Sequence, residues 1–127
     1  MGIPLLFLLA IPSFVFPQSD ILDNVALAIR NGNSKDIARY FDSNVEITIL
    51  DRESSYSKTQ GEMVLRDFFS KNQVQTFDLK HRGTSGEGST YGIGTLKAAG
   101  QSYRVYYFVK IKGSQQLIQE MRFEKQS

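Results

Sequence analysis

The chain has one histidine, His81, and no cysteine, so the chemistry open to it is narrow. Thiolate zinc sites, cysteine nucleophiles and multi-histidine metal centres are excluded, and a Ser-His-Asp arrangement has a single candidate for its base. An imidazole set beside a phenol and an amide can polarise a carbonyl or orient a polar ligand. His81, Tyr107 and Gln119 supply those groups, with Met121 as an apolar neighbour, provided that strands bring all four onto one face of a sheet. An acid to orient the imidazole is harder to find. Asp78 lies an odd number of residues from His81, so strand alternation sends it to the opposite face. Asp67 points away from the apolar stripe of its helix. Glu62, at the edge of that stripe, is the best remaining carboxylate. The competing reading of His81 is a packed residue hydrogen-bonded to backbone.

Other patterns dissolve on inspection. Gly86-Glu87-Gly88 and Gly92-Ile93-Gly94 lack the third glycine and the strand-to-helix setting of a dinucleotide site. Gly83-Thr84-Ser85-Gly86-Glu87 misses the nucleophile-elbow pattern at its last position. These glycines read as turns and bends, and no cofactor is expected.

The elements that would position His81 follow from the hydrophobic periodicity. Ile21, Leu22, Val25, Ala26 and Ile29 share one helical face, which Asn31-Gly32-Asn33 ends; Ser34 is the expected N-cap of a second short helix burying Ile37, Ala38 and Phe41. Val45 to Leu50 alternates as a strand, and Tyr56-Ser57-Lys58-Thr59-Gln60 reads as a loop into a third helix over Glu62 to Lys71. From Phe77 on, turn signals at Ser85-Gly86-Glu87-Gly88, Gly100-Gln101 and Gly113-Ser114-Gln115 divide the chain into a four-stranded meander. A three-residue third turn sets Ile111 opposite Leu117, Tyr107 opposite Met121 and Val105 opposite Phe123, which buries apolar groups together.

With that register, one face carries the rows Phe77, Leu96, Val105, Phe123; then Leu79, Gly94, Tyr107, Met121; then His81, Gly92, Val109, Gln119. Gly92 and Gly94 remove side-chain volume and let the sheet curve into a cup. The other face presents Ile93, Tyr106, Phe108 and Arg122, a mixture of aromatic and charged groups suited to a protein interface.

Composition bounds the whole. With 127 residues, 41% hydrophobic and 22% charged, the chain has room for one domain that folds without staples. Its 15 basic and 13 acidic residues leave a net charge of +2, scattered along the chain, so no nucleic-acid footprint is present. The first nineteen residues carry no charged side chain, and Ile3 to Phe16 is almost wholly apolar before Pro17-Gln18-Ser19. This reads as a signal peptide over 1–19, cut before Asp20, although Met1-Gly2-Ile3 lacks the usual Lys or Arg. The run is short for a membrane span and holds Pro4 and Pro12. The expectation is an exported periplasmic or extracellular protein with one domain over 20–127.

The order helix hairpin, strand, helix, antiparallel meander resembles the nuclear-transport-factor-2-like (cystatin-like) cone. Asn33 to Phe41, Val45-Glu46-Ile47-Thr48, Tyr56 to Gln60, Phe68-Phe69, His81-Arg82-Gly83 and Ile93-Gly94-Thr95-Leu96 are similar to a domain-of-unknown-function family of short exported Bacteroidota proteins with that fold. The resemblance implies an α+β cone with three N-terminal helices on a curved antiparallel sheet, and carries over no catalytic residue. It implies export as well, while the aromatic outer face, which often makes dimers in this fold, and the glycine-bent inner face give the expected partners: a homodimer through the outer face and a small ligand in the cone. The expected function is a non-enzymatic binding or interaction module. The alternative is a cofactor-independent isomerase, dehydratase or related lyase working through His81 and Tyr107.

Overall fold

A computed structural model of the chain describes Gly2 and residues 20–126; the leader assigned to 1–19 lies otherwise outside the described residues. Helix α1 (Ile21–Arg30) is capped by Asp20, whose carboxylate accepts from Leu22 N at 2.9 Å. It buries the expected stripe and ends at Gly32, at φ 60°. Helix α2 (Ser34–Ala38) is a single short turn whose N-cap is Asn33 rather than Ser34; the Asn33 amide oxygen accepts from Asp36 N, while Ser34 is buried. Strand β1 (Phe41–Ile49) begins four residues before the expected strand and takes Phe41 from the second helix.

The segment read as a polar loop is strand β2 (Arg52–Ser57), a hairpin partner of β1. Its polarity reflects its place at the sheet edge, where Tyr56 alone turns toward the core. Helix α3 (Lys58–Lys71) starts earlier than expected, because Ser57 and Gln60 form a reciprocal capping box. Strands β3 (Val74–Ser85), β4 (Ser89–Ala98), β5 (Gln101–Lys112) and β6 (Gln115–Lys125) complete a six-stranded sheet of order β2-β1-β6-β5-β4-β3. Two corrections to the expected architecture follow. Only α1 and α2 precede the sheet, and the β1–β6 pair is parallel, so the sheet is mixed.

Register decides what shares a face. The β5–β6 turn has two residues, Gly113 and Ser114, with Lys112 opposite Gln115. Left alone, that turn would set Tyr107 opposite Glu120 and bury charge. A bulge at Gln119 supplies one extra residue and restores Tyr107 opposite Met121 and Val105 opposite Phe123. The expected apolar pairs therefore form beyond the bulge, while Ile111 faces Gln116 instead of Leu117. The β4–β5 turn is Ala99-Gly100, which sets Leu96 opposite Tyr103, Gly94 opposite Val105 and Gly92 opposite Tyr107, a slip of two that leaves every face unchanged. All three helices lie on the inner face, where α3 packs Phe68 and Phe69 against Phe123, and Phe68 also meets Tyr103 edge-on.

Candidate functional site

A second bulge, between Leu79 and His81, relocates the histidine. Lys80 is unpaired, so His81 pairs with Ile93 on the outer face, and Arg82 takes the place opposite Gly92. His81 is exposed there. The Arg82 guanidinium instead reaches α1, pairing with Asp23 and, at 3.4 Å, with Asp20. It holds the Asp23 carboxyl below the usual carboxylate range, chiefly by hydrogen bonding.

The space expected inside the cup is filled. Tyr107 is fully buried, and its hydroxyl donates to Leu22 O at 2.7 Å. Burial pushes its phenol well above the ordinary value. A Cβ on Gly92 would lie 2.7 Å from Tyr107 Cζ, and one on Gly94 would lie 2.5 Å from Phe77 Cζ. Those glycines therefore make room for aromatic rings from the neighbouring strands. Met121 is buried in the same layer. Gln119, displaced by its bulge, donates to Asp42 Oδ2 at 2.9 Å.

Asp42 also accepts from Ser43 N at 2.7 Å and meets Lys112 Nζ at 2.7 Å. The lysine above all holds its carboxyl below the ordinary range. The structure thus brings Tyr107 and Met121 together, ties Gln119 to a structural carboxylate and leaves His81 on the opposite face from Tyr107. Glu62 is paired with Arg66 and Asp67 with Lys71, and neither faces His81.

The four expected interface residues do share the outer face. His81, Ile93, Tyr106 and Arg122 form one continuous cross-strand row, with Phe108 in the next, between Tyr91 and Glu120. Arg122 lies over the Tyr106 ring, 5.5 Å from its centroid, while its guanidinium also meets Glu120 at 3.0 Å. Tyr91 and Tyr106 are 6.1 Å apart, and the bare backbone of Gly83 leaves room for the Tyr91 ring. Ile93, Tyr91, Tyr106 and Phe108 are each half-buried. Toward the β2 edge, carboxylate oxygens of Glu46, Glu53 and Glu120 lie within 4.8 Å of one another. Sequence reasoning missed this cluster, because two of its three strands meet only through the β1–β2 hairpin and the parallel pair.

A groove of about 550 Å³ opens at the other end of the molecule, between α3, the β1–β2 turn and the start of β5. Its walls are Ile49, Tyr56, Val64, Phe68 and Tyr103. The Tyr103 hydroxyl donates to Asn72 Oδ1 at 2.9 Å, and Asn72 in turn donates to Phe68 O, so the polar atoms at its inner end are satisfied. The sequence held one signal for it, the Ser57-Lys58-Thr59-Gln60 capping box, which extends α3 by a turn and fixes its start beside β2.

The model of a domain of unknown function, DUF4783, matches residues 22–124. The chain belongs to the DUF4783 family. A DUF4783 protein from Bacteroides uniformis is 27% identical, with a TM-score of 0.80 over 85% of this chain and 99% of that one. A second, from Bacteroides fragilis, is 33% identical, with a TM-score of 0.78 over 84% of this chain and all (100%) of that one. A cystatin-like domain of unknown function from Nostoc punctiforme, 7% identical, superposes with a TM-score of 0.65 over 83% of this chain and 72% of that one. The DUF4783 chain thus has the nuclear-transport-factor-2-like, or cystatin-like, α+β fold. No curated protein matches it. No helix among its described residues is long and apolar enough to cross a membrane.

Proposed function

We propose that this DUF4783 protein is a non-catalytic interaction module of the bacterial cell envelope, exported after removal of residues 1–19 and self-associating through its outer sheet face. The observation that carries the reading is the row Ile93–Tyr106–Arg122 with Phe108 and Tyr91 beside it. Aromatic groups flanked by charges of both signs suit a two-fold interface, in which one patch meets its own copy. Arg104 opposite Glu124 and Arg122 beside Glu120 offer charges that can exchange partners across such an axis.

The isomerase, dehydratase or lyase reading requires His81 and Tyr107 to face one cavity. They stand on opposite faces, and the Tyr107 hydroxyl is committed to Leu22 O. The test is the mass in solution of protein recovered from the envelope fraction, measured by light scattering and sedimentation, together with its N-terminus by mass spectrometry. A dimer that becomes a monomer in Ile93→Lys with an unchanged circular dichroism spectrum is expected, with an N-terminus near Asp20. A monomer at every concentration defeats the self-association, and an intact Met1 in the cytoplasm defeats export.

A further inference from the structure

The groove at the far end from His81 carries an inference independent of the outer face. Its volume, about 550 Å³, falls in the range of small-molecule sites. Its walls are aromatic and aliphatic, and its opening is flanked by two of the large apolar side chains most exposed to solvent, Met63 from α3 (59%) and Leu50 from the β1–β2 turn (44%). Met63 supplies an adaptable thioether surface of the kind common at apolar ligand sites.

Leu50 is the second, separate observation. It sits at φ 59°, in the left-handed region, where a leucine is strained and glycine or asparagine is the ordinary occupant. The turn is held there by Leu50 N donating to Phe123 O at 2.8 Å. A strained, exposed leucine in a tight turn contributes little to the core. Its side chain lines the groove mouth and is 44% exposed.

The charges at the rim say what kind of ligand fits. Asp51 and Arg52 follow one another on the turn side, and Asp67 and Lys71 are paired at 3.2 Å on the helix side. The rim is balanced, two of each sign, and the walls carry no ionised group. Neither an anion nor a cation is selected. We propose that the groove binds an uncharged apolar small molecule, and that Leu50 is held left-handed to form its lip.

Nile red, a neutral dye that brightens in apolar surroundings, is the probe, titrated into the full mature protein. Saturable binding that is insensitive to salt is expected. Leu50→Asn relieves the backbone strain, so its melting temperature should equal or exceed the parent's while dye affinity falls about fivefold, the effect of losing half of a leucine's apolar burial. Met63→Glu, on the exposed side of α3, should abolish binding, and Leu27→Gln, at another exposed leucine, on α1 and outside the groove, should leave it unchanged. Absence of dye binding overturns the proposal. So does a Leu50→Asn protein that binds normally or melts lower, since Leu50 is then idle or structural. Affinity that changes steeply with salt overturns the neutral-ligand assignment, and dye binding that disappears as the protein self-associates makes a second copy the occupant instead.

Discussion

Replacing Tyr107 with phenylalanine separates a structural tyrosine from a catalytic one. The hydroxyl donates to Leu22 O at 2.7 Å, in a fully buried setting. Leu22 lies in the first turn of α1, where its carbonyl also serves the helix ladder, so removing the hydroxyl orphans no acceptor. The expected cost is therefore the net worth of one buried hydrogen bond, about 1 kcal/mol, or roughly 4–8 °C in melting temperature for a domain of this size. The pH dependence gives a sharper readout. Burial raises the phenol's pKa in the folded state above its ordinary value near 10. Above that pH the unfolded chain loses the proton while the folded one keeps it, so the unfolded state binds fewer protons and stability falls as pH rises. One such group contributes a slope of about 1.4 kcal/mol per pH unit. Tyr106 is also shifted upward, first by burial, so the parent's alkaline slope holds both contributions, and the difference between parent and Tyr107→Phe isolates Tyr107. Urea unfolding followed by circular dichroism, repeated at steps from neutral pH into the alkaline range, measures it. Parallel curves, or a variant as stable as the parent at neutral pH, would refute the assignment of Tyr107 to the α1–sheet joint.

Two further substitutions probe the same core. Gly92→Ala places a methyl 2.7 Å from Tyr107 Cζ and 3.0 Å from Leu79 Cδ1, and overpacking of this kind should cost about 1–3 kcal/mol; an unchanged urea midpoint would show that the ring yields freely. Asp42→Asn removes a carboxylate whose folded pKa is held down by Lys112. That contribution is present above the ordinary carboxylate pKa and is lost as pH falls through the folded value. The variant should be less stable at neutral pH and show a shallower acid limb in urea midpoints, and equal limbs would count against the Asp42–Lys112–Gln119 link.

How far the sequence disclosed the fold depends on what each signal measures. Helical periodicity located α1 and the body of α3, because a buried stripe such as Ile21, Leu22, Val25, Ala26 and Ile29 repeats whatever it packs on. Strand β2 escaped, because an edge strand that turns only Tyr56 toward the core has no apolar alternation to read; Arg52 to Ser55 are all exposed. The capping box at Ser57 and Gln60 was legible and would have moved the start of α3 to its proper place. The outer-face residues Ile93, Tyr106, Phe108 and Arg122 were grouped correctly even though one register was off by two, since a slip of two preserves faces.

Single-residue irregularities act differently, and they decided the fate of the inner row. At Gln119 the tension between a two-residue turn and an apolar register is visible in the sequence, and a bulge resolves it in favour of burial. At Lys80 no such tension appears: either register leaves Phe77 and Leu79 inside, and the choice between His81 and Arg82 for the inner position turns on what α1 presents. Asp20 and Asp23 stand at the N-terminal end of that helix, where acids favour the helix dipole, and the longer guanidinium of Arg82 reaches and pairs with both. The bulge therefore serves a charge match between two elements about sixty residues apart in sequence, which no local pattern in β3 encodes. That match fastens the N-terminal end of α1 to the sheet. It is the physical reason that an enzyme-like pocket at His81 gives way to a closed core.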